Sequence, residues 1–138
     1  MGLKPRAAAG YSGTPLAKKL GIFDGYSVAT VRAPDHFAAL LAPIPEGVTF
    51  HTGARTSHDV IVMFTKSRTE FANELPALSK HIGRGGLWIA WPKRASKVPT
   101  DMTEDVVREV ALPMGLVDIK VCAIDETWSG LRLTWRRK

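Results

Sequence analysis

Apolar and polar residues fall in blocks along this chain, and the blocks predict strands and helices in alternation. Three short runs, 26–31 (YSVATV), 59–64 (DVIVMF) and 87–91 (LWIAW), are nearly continuous in apolar, β-branched and aromatic residues. Runs of that kind predict strands buried on both faces, as in a parallel sheet covered by helices. Two later runs alternate instead. Val117, Ile119, Val121 and Ala123 interleave with Asp118, Lys120 and Cys122, and Leu131, Leu133 and Trp135 with Arg132, Thr134 and Arg136. A period of two predicts strands with one wetter face, here an antiparallel hairpin over 116–124 and 130–136. A further short strand is predicted at 47–50 (GVTF).

Helices are predicted between these runs. Ser67 with Glu70 three residues on is a capping-box pattern, and the helix it opens carries Phe71, Leu75, Leu78 and Ile82 on one stripe, with a kink expected at Pro76. Asp101 with Glu104 is a second capping pattern, ahead of Val106, Val107, Val110 and Ala111, and Pro113 with Gly115 stops that helix. Thr14 and Pro15 open a short helix that Gly21 closes, and Pro34-Asp35 opens another carrying Phe37, Ala38, Leu40 and Leu41. The alternation predicts one three-layer α/β domain over 14–138, preceded by a flexible basic arm at 1–13. Right-handed crossovers restrict the strand order, and 2-1-3-4-6-5 is preferred, with strand 6 antiparallel between 4 and 5. In topology this resembles the Rossmann-like sheet of class I methyltransferases with one strand missing.

Composition excludes several classes. Of 138 residues, 45% are hydrophobic and 23% charged, which excludes a disordered chain. The single cysteine, Cys122, excludes an intramolecular disulfide and is expected to be a buried small hydrophobe. No run approaches the roughly 18 apolar residues of a membrane helix. The amino terminus has no apolar segment of signal-peptide type, so a cytoplasmic protein is expected. The positive charge sits at the two ends, Lys4, Arg6, Lys18 and Lys19 at one and Arg132, Arg136, Arg137 and Lys138 at the other, with a net −2 over 21–131, for +6 in all. Such ends offer a nucleic-acid contact, but solvated termini are the favoured reading.

In open α/β sheets, ligands sit beyond the carboxyl ends of the strands, where the order reverses. The loops expected on that rim are 32–35, 51–53, 65–67, 92–93 and 125–130. With Trp91, which ends the 87–91 run, and Asp101 added, they give Lys66, Trp91, Lys93, Asp101, Asp125, Glu126 and Trp128 as the candidate ligand-binding residues. Asp125-Glu126-Thr127-Trp128-Ser129-Gly130 places a carboxylate pair beside an indole, and Trp91-Pro92-Lys93 adds a cation facing it. Read structurally, the same segment is a hairpin loop, with Trp128 over the core and Gly130 at positive φ.

Tests for familiar chemistry are negative. A dinucleotide or adenosylmethionine site calls for a glycine-rich turn after the first strand, and Val31-Arg32-Ala33-Pro34-Asp35 has no glycine. His51 stands where an acid would hold a ribose. No phosphate-binding loop of the GxxxxGK[ST] type occurs. His36, His51, His58 and His81 show no metal-ligand spacing, and all four are expected on the surface or in loops. Ser129 lacks the flanking glycines of a nucleophile elbow. No cofactor and no metal are expected.

Segments 11–22 (YSGTPLAKKLGI), 91–96 (WPKRAS), 100–109 (TDMTEDVVRE) and 115–133 (GLVDIKVCAIDETWSGLRL) resemble a bacterial family known as domain of unknown function 3052. The resemblance spans about Tyr11 to Arg136 and implies a bacterial single-domain protein, with no activity attached. The expectation is then a small non-catalytic module that binds a ligand or a partner at a degenerate Rossmann-like site. The alternatives are an enzyme using Lys93, Asp125, Glu126 and Trp128 on the rim, and a nucleic-acid-associated protein using its basic ends.

Overall fold

A computed structural model of the chain describes residues 13–137. Lys4, Arg6 and Lys138, and all but the last residue of the expected arm at 1–13, lie outside them. The strands are β1 (Ser27–Val31), β2 (Thr49–Thr52), β3 (Val60–Phe64), β4 (Leu87–Pro92), β5 (Leu116–Ala123) and β6 (Trp128–Trp135). They form one sheet in the order β2-β1-β3-β4-β6-β5. β1 pairs in parallel with β2 and β3, and β3 with β4, while β6 runs antiparallel to β4 and β5. The domain is Rossmann-like α/β, with the expected strand order.

Burial explains the order. β3 and β4 are buried at every position and occupy the centre, as their unbroken apolar sequences require. β1 is buried only at Val28 and Ala29, because its outer neighbour β2 is an edge strand exposed along its whole length. Alternate residues of the central strands then face two layers. Ile61, Met63, Ile89 and Trp91 pack with Phe71 and Leu75 of α3 (Arg68–Ser79) and Val107 and Ala111 of α4 (Glu104–Ala111). Val62, Phe64, Trp88 and Ala90 pack on the other face, against Ala17 of α1 (Leu16–Lys19) and Phe37 of α2 (Phe37–Leu40). Trp88 also ties this layer down by donating its indole N–H to Leu20 O at 2.9 Å. Cys122 is buried, and that burial pushes its thiol pKa up, so it is an unreactive core residue.

Local details depart from expectation. β2 covers 49–52 rather than 47–50, and β6 begins at Trp128 rather than at 130. Pro15, not Thr14, stands at the cap position of α1. Asp101 does not cap α4. That role falls to Thr103, whose hydroxyl accepts from Val106 N at 3.1 Å, while Asp101 Oδ1 accepts from Arg68 N at 2.7 Å and so closes the start of α3. Ser67 does cap α3, accepting from Glu70 N at 3.1 Å. α3 runs on through Pro76. Gly130 is not a positive-φ turn residue. It sits buried in β6, where a Cβ would lie 3.2 Å from both Trp88 and Ile124 side chains. Gly85, ahead of β4, is also fixed by contact: its N–H donates to Asp59 O at 2.6 Å, and a Cβ there would meet the same oxygen at 2.6 Å.

Among the described residues no helix is long and apolar enough to cross a membrane. Lys18 and Lys19 end α1, and Arg136 and Arg137 follow β6. Because β6 is antiparallel, Arg136 and Arg137 leave the sheet at the amino edge of the parallel strands, away from the rim where β1, β3 and β4 end.

Candidate functional site

β1 lies between β2 and β3, so the chain leaves it in one direction and returns on the other side. That reversal opens a crevice beyond the strand carboxyl ends. A cavity of about 510 Å³ lies there, lined by Arg32, Pro34, Phe64, Lys66, Glu70 and Trp128 among others.

Arg32 immediately follows β1 and holds φ 57, a left-handed backbone that L side chains other than Asn and Asp seldom adopt. The strain aims its guanidinium back over the sheet. Nε donates to Phe64 O at 3.1 Å and lies 3.2 Å from Glu70 Oε1, and Nη2 reaches Glu74 Oε1 at 2.8 Å. Glu70 also accepts from the buried Thr65 hydroxyl at 2.7 Å. Its carboxylate therefore serves the crevice rather than reaching back to the Ser67 amide, as the second half of a capping box would. The opposite wall is aromatic. Phe64 meets Trp128 edge-on at 5.0 Å and 85°, and Phe37 at 5.0 Å and 73°.

Trp128 is held there by Asp125. Oδ1 of Asp125 accepts from the amides of Thr127 at 2.8 Å and Trp128 at 2.7 Å, an Asx turn joining β5 to β6. Its other oxygen, Oδ2, lies 2.9 Å from His36 Nε2. Burial alone would push the Asp125 pKa up, but the hydrogen bonds from His36, Trp128 and Thr127 outweigh it, and the pKa lies below the ordinary 3.8. Asp125 is thus ionised at neutral pH and can only accept. It follows that neutral His36 carries its proton on Nε2, leaving the lone pair of Nδ1 free. The His36 ring is half exposed; neither it nor Asp125 lines the crevice, whose nearest lining residues are Pro34, two positions before His36, and Trp128, whose amide Asp125 holds.

The sequence candidates divide. Lys66 and Trp128 line the crevice. Trp91 and Lys93 line a second cavity on the rim, since Trp91 faces the α3–α4 layer and Trp128 the opposite one. Lys93 approaches the 125–130 segment as expected, but it donates to the backbone carbonyl of Asp125 at 2.7 Å rather than to a carboxylate. Asp101 accepts from the Arg68 amide at the start of α3, and Glu126 is exposed with no polar partner among the described residues. Arg32, Glu70 and His36 were not among the candidates. The histidines were expected to be unremarkable surface residues, and nothing in the spacing of His36 and Asp125, 89 residues apart, joins them. Among the described residues no group of three or more His, Cys, Asp or Glu is arranged to hold a metal ion.

No family model matches the chain, and no curated protein matches it. Solved structures do. A SAM-dependent methyltransferase from Aquifex aeolicus is 14% identical, with a TM-score of 0.54 over 86% of each chain. A chain assigned to the type 11 methyltransferases from Sulfolobus solfataricus is 11% identical, with a TM-score of 0.52 over 81% of this chain and 85% of its own. A protein of the NADB-Rossmann superfamily from Streptococcus agalactiae is 9% identical, with a TM-score of 0.52 over 92% of this chain and 70% of its own. At these identities the likeness is one of fold. It goes against the expectation of a non-catalytic binding module, because solved examples of this fold include methyltransferases.

The fold family implies adenosylmethionine, and the residues present do not fit it. The turn after β1 has no glycine to admit a ligand to the backbone, and Arg32 lays its side chain across that place. β2 ends in exposed His51 and Thr52, with no carboxylate for a ribose.

Proposed function

We propose that this chain is an enzyme of the methyltransferase fold that performs acid–base chemistry on a small molecule held in the β1–β3 crevice. The observation that carries the reading is the His36–Asp125 pair, 2.9 Å apart, tied to the crevice through Trp128, whose amide Asp125 accepts. His36 Nδ1 is the proton acceptor, and its lone pair is available because Asp125 fixes the other nitrogen as the donor. The ionised carboxylate 2.9 Å away fixes the orientation of the ring. Phe64 and Trp128 give the substrate an apolar wall. Lys66, outside any ion pair among the described residues, gives it an anion contact. Arg32 and Glu70 neutralise one another and shape the floor.

Turnover of a metabolite extract, followed by mass spectrometry, tests this. The wild-type protein should deplete at least one small molecule with no methyl donor added. His36→Asn should do so roughly 100-fold or more slowly, the usual scale of a positioned acid–base group. Equal turnover by the variant, or no depletion at all, refutes the reading. Depletion only with added adenosylmethionine refutes the argument that the residues do not fit that cofactor. Membership of the family named domain of unknown function 3052 is proposed on the TPLAKKLG and DETWSG segments alone, and a cytoplasmic setting is proposed with it.

A further inference from the structure

Two non-glycine residues among those described hold a left-handed backbone, Arg32 at φ 57 and Lys97 at φ 62. Both are cations, and each lines one of the two rim cavities. Strained backbone is kept where the surrounding structure enforces it, and it concentrates at binding sites. Arg32 is accounted for by its ion pairs with Glu70 and Glu74. Lys97 is not: it makes no ion pair among the described residues, and a glycine would hold the same turn without strain.

Lys97 ends the 3-10 turn Arg94–Ser96 that follows β4. The turn is held firmly. Lys93 N donates to Thr127 O at 2.8 Å, and Ser96 Oγ donates to Lys93 O at 2.7 Å while accepting from Val98 N at 3.3 Å. The cavity beneath it is about 510 Å³, the size of a small-molecule site. Its floor is the buried Trp91, Pro92 and Met102, and its edge carries Lys93, Arg94 and Lys97. The one acid in the lining, Glu104, is engaged by Arg108. Three cations over an apolar floor, with the local acid already paired, describe a receptor for a molecule with an anionic head and a flat apolar body.

We propose that this cavity binds a small organic phosphate of nucleotide size. The phosphate would meet Arg94 and Lys97, and the apolar body would rest on the Trp91–Met102 floor. This site is separate from the crevice at β1 and goes beyond the acid–base reading.

Calorimetric titration tests it, with adenosine 5′-monophosphate, adenosine, inorganic phosphate and a single-stranded RNA oligonucleotide as probes. The monophosphate should bind, inorganic phosphate more weakly, and adenosine not measurably. Lys97→Gly should weaken the monophosphate by about tenfold or more, the worth of one charge-assisted contact, while its melting temperature is unchanged or raised. A merely structural Lys97 gives the opposite result, with unaltered binding. Arg94→Gln should weaken binding similarly. Trp128→Phe, which alters the crevice, should leave the isotherm unchanged, so loss there assigns the ligand to the crevice and overturns this site. No binding by any phosphate at millimolar concentration also overturns it. So does binding of the oligonucleotide alone, which would make the rim a nucleic-acid surface.

Discussion

Asp125→Asn separates the two roles given to Asp125, because the asparagine can keep one and must lose the other. Oδ1 accepts two backbone amides, Thr127 at 2.8 Å and Trp128 at 2.7 Å, while Oδ2 holds one partner, His36. An asparagine oxygen directed at the turn keeps two bonds, and directed at His36 it keeps one. The amide NH2 therefore faces His36 Nε2, which must now accept, and the ring proton moves to Nδ1. The turn loses only the charge assistance of two hydrogen bonds, roughly 1–2 kcal/mol in all. For a chain of this size that lowers the melting temperature by roughly 3–8 °C. Asp125→Ala strands both amides and should cost roughly 3 kcal/mol. Any turnover assigned to His36 should fall roughly 10²–10⁴-fold in Asp125→Asn, the effect of putting the proton on the wrong nitrogen. Nitrogen NMR of the imidazole reads the tautomer without a substrate: wild type at pH 8 should show the proton on Nε2, the variant on Nδ1. The acid limb gives a second readout. Because the folded pKa of Asp125 lies below the ordinary 3.8, the stability it adds is complete above 3.8 and lost as pH falls through the folded value. Asp125→Asn should lack that part of the acid loss. The same His36 tautomer in both proteins, or Asn and Ala variants that melt alike, would refute the reasoning.

Other consequences are equally direct. Gly85→Ala should destabilise by about 3 kcal/mol in denaturant titration, since its Cβ would lie 2.6 Å from Asp59 O and collide with the Val60 side chain. Trp128→Ala should cost roughly 3–5 kcal/mol, as it empties the space beside Phe64, and unaltered stability would show that Trp128 closes nothing. His58 is expected to destabilise the fold as pH falls. Burial, then the neighbouring His51 and His81, lower its pKa against a smaller opposing pull from Asp59, and its Nδ1 is buried without a hydrogen-bond partner among the described residues. The folded state therefore prefers neutral His58: stability is complete above the ordinary 6.5 and declines as pH falls from there through the folded value. Melting temperatures between pH 5 and 7.5 should show this slope, and His58→Gln should flatten it.

The strand order was legible in the chain because burial on both faces leaves a direct mark on sequence. β3 reads VIVMF with no polar residue, and the structure places it at the centre, whereas β5 and β6 alternate and lie beside one another at the edge. The Ser67 cap was legible too, since a cap and its partner are three residues apart. Asp101 shows where local reading fails. Its spacing to Glu104 imitates a capping box, but its carboxylate is taken by Arg68, 33 residues away, and Thr103 caps α4 in its place. The ion pairs of the site lie on the long-range side of that divide, although the Asp125 turn and the Thr65–Glu70 bond are local. His36 meets Asp125 across 89 residues, and Arg32 meets Glu74 across 42. Neither pair has a spacing that a sequence motif could record. What the sequence did carry was the rim itself: once the strands are ordered, the loops after β1, β3 and β4 and the β5–β6 turn must converge on one edge. The two left-handed turns on that edge then each add a cation to one of the rim cavities. In this chain those turns are built on Arg32 and Lys97, where a glycine would have served the backbone better and left the rim with two fewer cations.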